Sequence, residues 1–416
     1  MKMRMALIIG ITLLLSLTGC SGKNTEQPIA PEQAGGTAAR QADAADGEDG
    51  EEVDSGSVLP DETAKRIAEC CLDIRRQAIE EKTTGTLETV RKTMEALEKE
   101  GYAAAHQDNQ LDMVNGDQVE AFCKRVEEKQ EGKLLLIIVL NNGGFVQFQM
   151  ASQEGNVDIT AVSLNWQGEN LVNIDTEQYQ AYHWVFTEGG YLFFDKYYME
   201  GLAGPYNHVA VRVKPLDSTC RELNRKYILP VGYYSNNLFI TDWNEEDYGS
   251  VNFYDLFDIL QRAEDSDAVT CVAGNEGEIY QIPEEKFESV IGKYFSVSSG
   301  KLREKTDYQA ESNTYEYRPR GMYDSGTGAD CPFPEVTEYE NRRDGTIVLT
   351  VHAVWTERDT DAAFCHQVVI RPLKDGSFQY VSNHILPTEN QVEPVWYVAR
   401  LTKEEWQEYY GEQVGE

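Results

Sequence analysis

The chain has 416 residues, of which 71 are acidic and 37 basic, and its formal net charge is −34. Such an excess of negative charge is repelled by the phosphates of nucleic acids and by anionic lipid headgroups, so it excludes a nucleic-acid-binding role. Cations, basic peptides and neutral glycans remain as partners. The length exceeds what one hydrophobic core usually serves, which predicts two folded units.

The first predicted element is an apolar run over residues 5–17, which two basic residues precede. It is shorter than the ~20 apolar residues of a membrane-spanning helix and suits the core of an export signal. The run ends in Leu17-Thr18-Gly19-Cys20, which resembles the lipobox of bacterial lipoproteins. The resemblance implies that residues 1–19 are a cleaved signal peptide and that Cys20 carries lipid, including an acyl chain such as palmitate. It also implies a position on the extracellular face of the cell membrane.

A disordered acidic tether is predicted to follow the lipidated cysteine, over residues 20–60. Residues 21–60 contain no aromatic side chain and are rich in Gln, Pro, Ala, Gly, Asp and Glu. A segment of this composition cannot bury enough apolar surface to offset the entropy that folding would cost. A flexible chain of about forty residues spans roughly 35 Å root-mean-square.

Residues 61–282 are predicted to form an N-terminal α+β domain. Apolar residues at helical spacing predict three helices, with Ile67, Val90 and Phe122 on their buried faces. The period then changes to two over residues 134–213, and Gly- and Asn-containing turns interrupt the pattern. This pattern predicts an antiparallel meander, and a short helix is expected near 253–262.

Residues 283–416 are predicted to form a C-terminal α+β domain with the same order of helices followed by a meander. Pro283 can begin a helix, and the turn sequences 343–345 and 374–376 each suit a three-residue hairpin loop that ends in glycine. These turns separate strands over 346–357, 363–373 and 377–386. The layout resembles a cystatin or NTF2-like arrangement, which implies a curved sheet covered by helices.

A histidine row is the sharpest candidate for chemistry. If residues 358–360 and 374–376 form the two loops, His352 faces His366 and His366 faces His384 across three strands. Three imidazoles at cross-strand spacing could bind zinc or another transition metal. A one-residue change in either loop would place a partner on the other face of the sheet.

Two other motifs are weaker candidates. Asp324-Ser325-Gly326 resembles the Asp-Ser/Thr-Gly turn of aspartic proteases, but the residues before it do not form the apolar strand of that family. The acidic segment 242–249 offers several oxygen ligands for calcium. It carries Asp247 and Phe253 where an EF-hand loop requires Gly and Glu, so a solvated acidic loop is favoured.

These observations favour a membrane-anchored extracellular lipoprotein that acts as a non-enzymatic ligand- or protein-binding module. The mature part is similar to uncharacterised lipoproteins of Gram-positive bacteria, a resemblance that implies no particular activity. A cell-wall glycan, a peptide and a protein are the candidate partners beyond the membrane itself. The alternative is an extracellular metal-dependent hydrolase that uses the histidine row.

Overall fold

The computed structural model describes residues 62–197, 208–264, 277–325, 331–388 and 392–411. The predicted signal peptide, Cys20 and the predicted tether lie outside the described residues. The three N-terminal helices are present as predicted. They are α1 (Glu62–Glu81), α2 (Leu87–Lys99) and α3 (Gly116–Glu127).

The N-terminal meander is part of a seven-stranded sheet in which neighbours in sequence are neighbours in space. The strands between residues 132 and 212 are antiparallel to one another, as predicted, whereas the first strand, Ala103–His106, was not predicted and pairs in parallel at one edge. The strands are β1 (Ala103–His106), β2 (Gly132–Val139), β3 (Phe145–Gln153), β4 (Asn156–Gln167), β5 (Asn170–Phe186), β6 (Tyr191–Lys196) and β7 (His208–Arg212).

Helices cover both faces of this sheet. Leu136 shares a core with Phe122 of α3, whereas Ile137 shares a second core with Ile67 of α1 and Val90 of α2. Because successive strand residues point to opposite faces, a strand covered on both sides must be apolar throughout. This explains the unbroken apolar run of β2.

The C-terminal part contains the two remaining sheets, and the predicted helices near 253–262 and after Pro283 are both present. The elements are α4 (Ser218–Leu223), β8 (Trp243–Asn244), α5 (Phe253–Glu264), β9 (Tyr280–Pro283), α6 (Glu284–Tyr294), α7 (Ser299–Glu304), β10 (Tyr308–Gln309), β11 (Thr314–Tyr317), β12 (Phe333–Asn341), β13 (Ile347–Val354), β14 (Cys365–Pro372), β15 (Phe378–Leu386) and α8 (Lys403–Tyr410). One sheet is five-stranded and antiparallel, with the order β12-β13-β14-β15-β8, and the other is small, with the order β10-β11-β9.

Both predicted hairpin turns are confirmed. Gly345 and Gly376 have φ of +86° and +91°, the left-handed conformation that a three-residue loop of this kind requires. In each loop the preceding aspartate, Asp344 or Asp375, accepts hydrogen bonds from the backbone and hydroxyl of the residue after the glycine. The turn sequences therefore fix these two hairpins locally.

The described residues from 62 onward belong to one compact unit. Its largest core joins Tyr227 and Phe239 to Leu349 and Tyr380 of the five-stranded sheet, and β8 pairs with β15. The segment from about residue 216 to α5 thus packs with the C-terminal sheet, although the sequence pattern assigns it to the unit that ends at residue 282. A chain of irregular turns carries too little periodicity to reveal which sheet it covers.

The two large sheets meet through a small core and a buried ion pair. Tyr191 and Phe193 of β6 pack against Val354 of β13. An Arg212 guanidinium nitrogen lies 2.7 Å from Glu335 Oε2, and the Tyr191 hydroxyl donates to Glu335 Oε1 at 2.8 Å. Burial raises the pKa of Glu335, and the charge of Arg212 opposes that effect.

Within the described part of the chain, the longest helices are too polar or too short to cross a membrane.

Candidate metal centre

The predicted pairing of the three histidines is wrong. His366 pairs with Val351 on one side and Ile385 on the other, His352 pairs with Cys365, and His384 pairs with Gln367. In each predicted pair the two histidines are therefore offset by one residue in the strand register. His366 points to the opposite face of the sheet from the other two histidines.

Two irregularities cause this shift. The hairpin at 374–376 begins in the predicted register, but a β-bulge between Val369 and Ile370 moves the pairing by one residue before it reaches His366. Between β13 and β14 the connection is longer than a hairpin and contains a 3₁₀ turn, Thr356–Arg358. Neither feature has a glycine or proline signal in the sequence.

His366 is a core residue. The Asn383 side chain donates its amide N–H to Thr241 O, so its Oδ1 accepts from Nδ1 of His366 at 2.7 Å. The Tyr233 hydroxyl lies 2.9 Å from the other ring nitrogen and donates to it. Complete burial lowers the pKa of His366 to about 3, so the ring is neutral and both nitrogens are occupied.

Of the other predicted residues, His384, Asp242 and Asp324 are held by protein contacts. His384 is exposed and its Nδ1 lies 3.1 Å from Asp242 Oδ1, whereas His352 is half-buried and burial lowers its pKa. Asp242 Oδ1 also accepts a hydrogen bond from the backbone N–H of Ile385. Asp242, which lies in the predicted calcium segment, therefore has a structural role. Asp324 is buried and accepts backbone N–H groups, and the glycines of its motif lie outside the described residues.

A different set of ligands does converge, and we call it the His–Asp cluster: His183, Asp195, His208 and Asp359. Nδ1 of His183 lies 2.9 Å from Asp195 Oδ2 and 3.5 Å from Asp359 Oδ2. Nδ1 of His208 lies 3.6 Å from Asp195 Oδ2. The candidate ligand atoms of His183, Asp195 and Asp359 all lie within 4.8 Å of one another.

Strand pairing aligns three members of the His–Asp cluster. Asp195 of β6 is directly paired with His208 of β7. On its other side, β5 has a bulge between Ala181 and Trp184, so Tyr182 and His183 together face Asp195. A bulge re-aims a side chain, and this one turns the imidazole toward the carboxylate. The His183 backbone N–H also donates to Asp195 Oδ1 at 2.6 Å, which fixes the carboxylate orientation.

Asp359 arrives from the five-stranded sheet, in the connection between β13 and β14. It follows the 3₁₀ turn and has φ of +50°, a left-handed conformation that aspartate tolerates better than most residues. Among the residues that the structure describes, none donates a hydrogen bond to its buried Oδ1. Burial raises the pKa of Asp359, as does the nearby charge of Asp195, and the imidazoles of His183 and His208 oppose this.

The donor set matches that of a transition-metal site. Two imidazole nitrogens and two carboxylates are zinc ligands, with bonds of about 2.0–2.1 Å that put neighbouring donors about 3.3 Å apart in a tetrahedron. Separations of 2.9, 3.5 and 3.6 Å occur in the cluster, and the first of them is a hydrogen bond between His183 Nδ1 and Asp195 Oδ2. A bound ion would take the place of that hydrogen bond.

The site is accessible from one side. The side chains of Asp195, His208 and Asp359 are 5%, 16% and 17% exposed, whereas His183 is 53% exposed. The ring of Tyr182 lies 4.4 Å from that of His183 and 5.0 Å from that of Tyr197, and both tyrosines are largely exposed. His183 is thus the most exposed member of the cluster.

Sequence reasoning located β5 and β7 but missed the His–Asp cluster. The pattern places His183 and His208 on predicted strands, yet β6, which carries Asp195 between them, gives no clear alternation in Tyr191-Leu192-Phe193-Phe194. Asp359 is 151 or more residues away from the other ligands in sequence. Only the packing of the two sheets brings it close.

The fold and the cluster together define a class of protein: a mixed α and β body with two large sheets whose junction carries a candidate metal centre. The chain belongs to the family described as "Family of unknown function (DUF6070)", whose model matches residues 60–400. No curated protein and no solved structure matches the chain.

Proposed function

We propose that this protein is a lipid-anchored extracellular lipoprotein that binds a transition-metal ion, with zinc as the best fit, at the His–Asp cluster. The observation that carries the proposal is the convergence of His183, Asp195 and Asp359, whose ligand atoms lie within 4.8 Å of one another, with His208 Nδ1 3.6 Å from Asp195 Oδ2. Asp195 is nearly fully buried there, and a buried carboxylate is stabilised by a paired cation or by a bound metal ion.

Zinc suits the donor set better than calcium. Calcium prefers six to eight oxygen ligands, whereas imidazole nitrogen is a typical ligand of zinc, copper, nickel and iron. Copper binds such sites more tightly than zinc in the general affinity order, so the identity of the ion also depends on its supply.

A binding role fits the cluster better than hydrolysis. Zinc sites with four protein ligands are mostly structural, whereas catalytic sites keep an open position for water. The half-exposed ring of His183 is the observation that favours the alternative, a metal-dependent extracellular hydrolase, because a displaced His183 would open one position.

The test of the metal proposal is isothermal titration of the purified full-length chain with zinc, and separately with calcium. We expect one zinc ion per chain and no saturable calcium binding. A His183→Ala variant should bind zinc at least about 100-fold more weakly, since even the outer partners of metal ligands are worth roughly 10- to 100-fold. The matched control is His384→Ala, which removes another exposed histidine beside an aspartate and should leave zinc affinity unchanged.

The membrane anchor has its own test. In cells that express the chain, Cys20→Ser should prevent labelling by radioactive palmitate and release the protein from the membrane fraction, because stable anchoring needs the acyl chains. Cys123→Ser is the control, since this thiol is buried in the core beneath α3. Equal labelling of the Cys20→Ser variant and the wild type would rule out the lipoprotein assignment.

The finer architecture also belongs to the proposal. We infer two α+β units, the second similar in layout to a cystatin or NTF2-like fold, and the contact of Tyr294 of α6 with Phe378 of β15 in the five-stranded sheet supports this. The core shared by residues 220–260 and this sheet favours a boundary near residue 216. A wall glycan, a peptide or another protein remains the proposed partner.

A further inference from the structure

We propose that the ion is a clasp between the two large sheets, so that metal binding controls how firmly the β13–β14 connection is held. This inference rests on the proposed metal-binding function and adds a conformational consequence to it. We call residues 355–363 the clasp loop.

The ligands come from both sides of the junction. His183, Asp195 and His208 lie on β5, β6 and β7 of the seven-stranded sheet, whereas Asp359 belongs to the clasp loop of the five-stranded sheet. The 3.5 Å separation between His183 Nδ1 and Asp359 Oδ2 is thus a contact between the sheets. A single ion bound to these atoms would join them.

Without an ion, hydrogen bonds from His183 compensate Asp195 but leave Asp359 less well compensated. Asp195 and Asp359 place carboxylate oxygens within 4.8 Å of each other, and two negative charges at that separation repel. No described residue donates a hydrogen bond to Oδ1 of Asp359. Divalent charge placed between the carboxylates would convert this repulsion into attraction.

The clasp loop has a second attachment that needs no metal. Asp361 Oδ2 accepts a hydrogen bond from the Thr187 hydroxyl at 2.5 Å, next to the β5–β6 turn. The carboxylate lies so close to Gly189 that a Cβ there would be 2.2 Å from Oδ2. This contact supplies a matched control, because Asp361 lies in the same loop and meets the same sheet.

Hydrogen exchange of the full-length chain tests the clasp, with zinc or with a chelator present. The clasp-loop amides of Arg358, Asp359 and Thr360 donate within the loop, so their exchange reports its opening. In the wild type we expect saturating zinc to slow their exchange about tenfold or more, since an ion bound only to the closed form suppresses opening.

Two isosteric variants separate the two attachments. In Asp359→Asn, which keeps a residue that tolerates positive φ, saturating zinc should no longer slow clasp-loop exchange. In Asp361→Asn, exchange should be faster both with and without zinc, while the zinc-dependent difference persists.

The possible results distinguish the two proposals. Zinc binding to the wild type without slower clasp-loop exchange would overturn the clasp and leave the metal-binding function in place. Persistence of the full zinc effect in Asp359→Asn would also overturn it. Absence of zinc binding to the wild type would overturn the proposed function itself.

Discussion

His366 shows how burial can take a histidine out of metal and acid–base chemistry. Its ring is enclosed by Tyr233, Phe239 and Phe364, and both ring nitrogens are hydrogen-bonded. A proton added to this ring would place an uncompensated charge in the core, which is why burial lowers its pKa to about 3.

This environment predicts a pH-dependent loss of stability. In the unfolded chain the imidazole titrates near its ordinary pKa of about 6.5, so the unfolded state takes up a proton before the folded state does. The His366 contribution to the free energy of unfolding is therefore complete above about pH 6.5 and declines as the pH falls toward about 3. The slope is at most about 1.4 kcal/mol per pH unit.

Urea unfolding of the wild type and of His366→Gln, at several pH values between 7 and 4, would measure this effect. The quantity to follow is the difference between their free energies of unfolding at each pH. The comparison removes the opposite contributions of carboxyls whose pKa burial raises, such as Glu335 and Asp258. His384→Gln, on the exposed face, should retain the wild-type slope. Identical slopes in the wild type and His366→Gln would refute the assignment of a buried neutral ring.

At the scale of elements, the sequence predicted where helices, strands and turns lie better than how strands pair. The apolar faces of α1, α2 and α3 and the glycine turns at Gly345 and Gly376 are local signals, and all five features are present. Register depends on bulges as well as on turns. The bulges at Val369 and near His183 shift the register at positions that no pattern in a short window of sequence marks.

The attachment of the C-terminal segment to α5 is a second element-scale feature without a sequence signal. Asp255 of α5 is fully buried and receives two hydrogen bonds from Arg320, at 2.8 and 2.7 Å, and one from Arg400 at 3.0 Å. Arg400 also reaches Asp258, one helical turn further along α5, at 3.0 Å. The network ties residues near the end of the described chain to a helix about 140 residues earlier.

We expect Asp255→Asn to destabilise the protein by about 3–5 kcal/mol, because it leaves two buried guanidinium groups without their shared carboxylate. Equilibrium unfolding in urea would measure the change. The control is Glu69→Gln on α1, whose side chain is 66% exposed and 3.9 Å from Lys65, and which should cost about 0–1 kcal/mol. If the two substitutions lowered the free energy of unfolding equally, the Asp255 network would not be a main source of stability.

At the scale of the whole molecule, sequence patterns could not predict the junction of the two sheets. Arg212 and Glu335 are 123 residues apart, and His183 and Asp359 are further apart still. Hydrophobic periodicity identifies the inner face of each sheet but carries no information about which sheet edges meet. The metal site predicted from the sequence used histidines on adjacent strands of the five-stranded sheet, whereas the His–Asp cluster that we propose as a metal site has three of its members on the seven-stranded sheet.

The strong negative charge and the metal proposal are compatible at this scale. A net charge of −34 raises the local concentration of cations around the folded body, as a general field rather than as a specific site. Selectivity must then come from the two imidazoles of the His–Asp cluster, which nonspecific surface carboxylates do not offer.

X-ray absorption at the zinc edge of the zinc-loaded full-length chain tests the metal centre most directly, because the chain also contains eight cysteines that could compete for the ion. The His–Asp cluster predicts a first shell of nitrogen and oxygen alone, at about 2.0–2.1 Å, with the outer scattering of two imidazoles. That imidazole signal should weaken in His183→Ala and remain in His384→Ala. A sulfur shell at about 2.3 Å, or a spectrum unchanged in His183→Ala, would contradict the assignment.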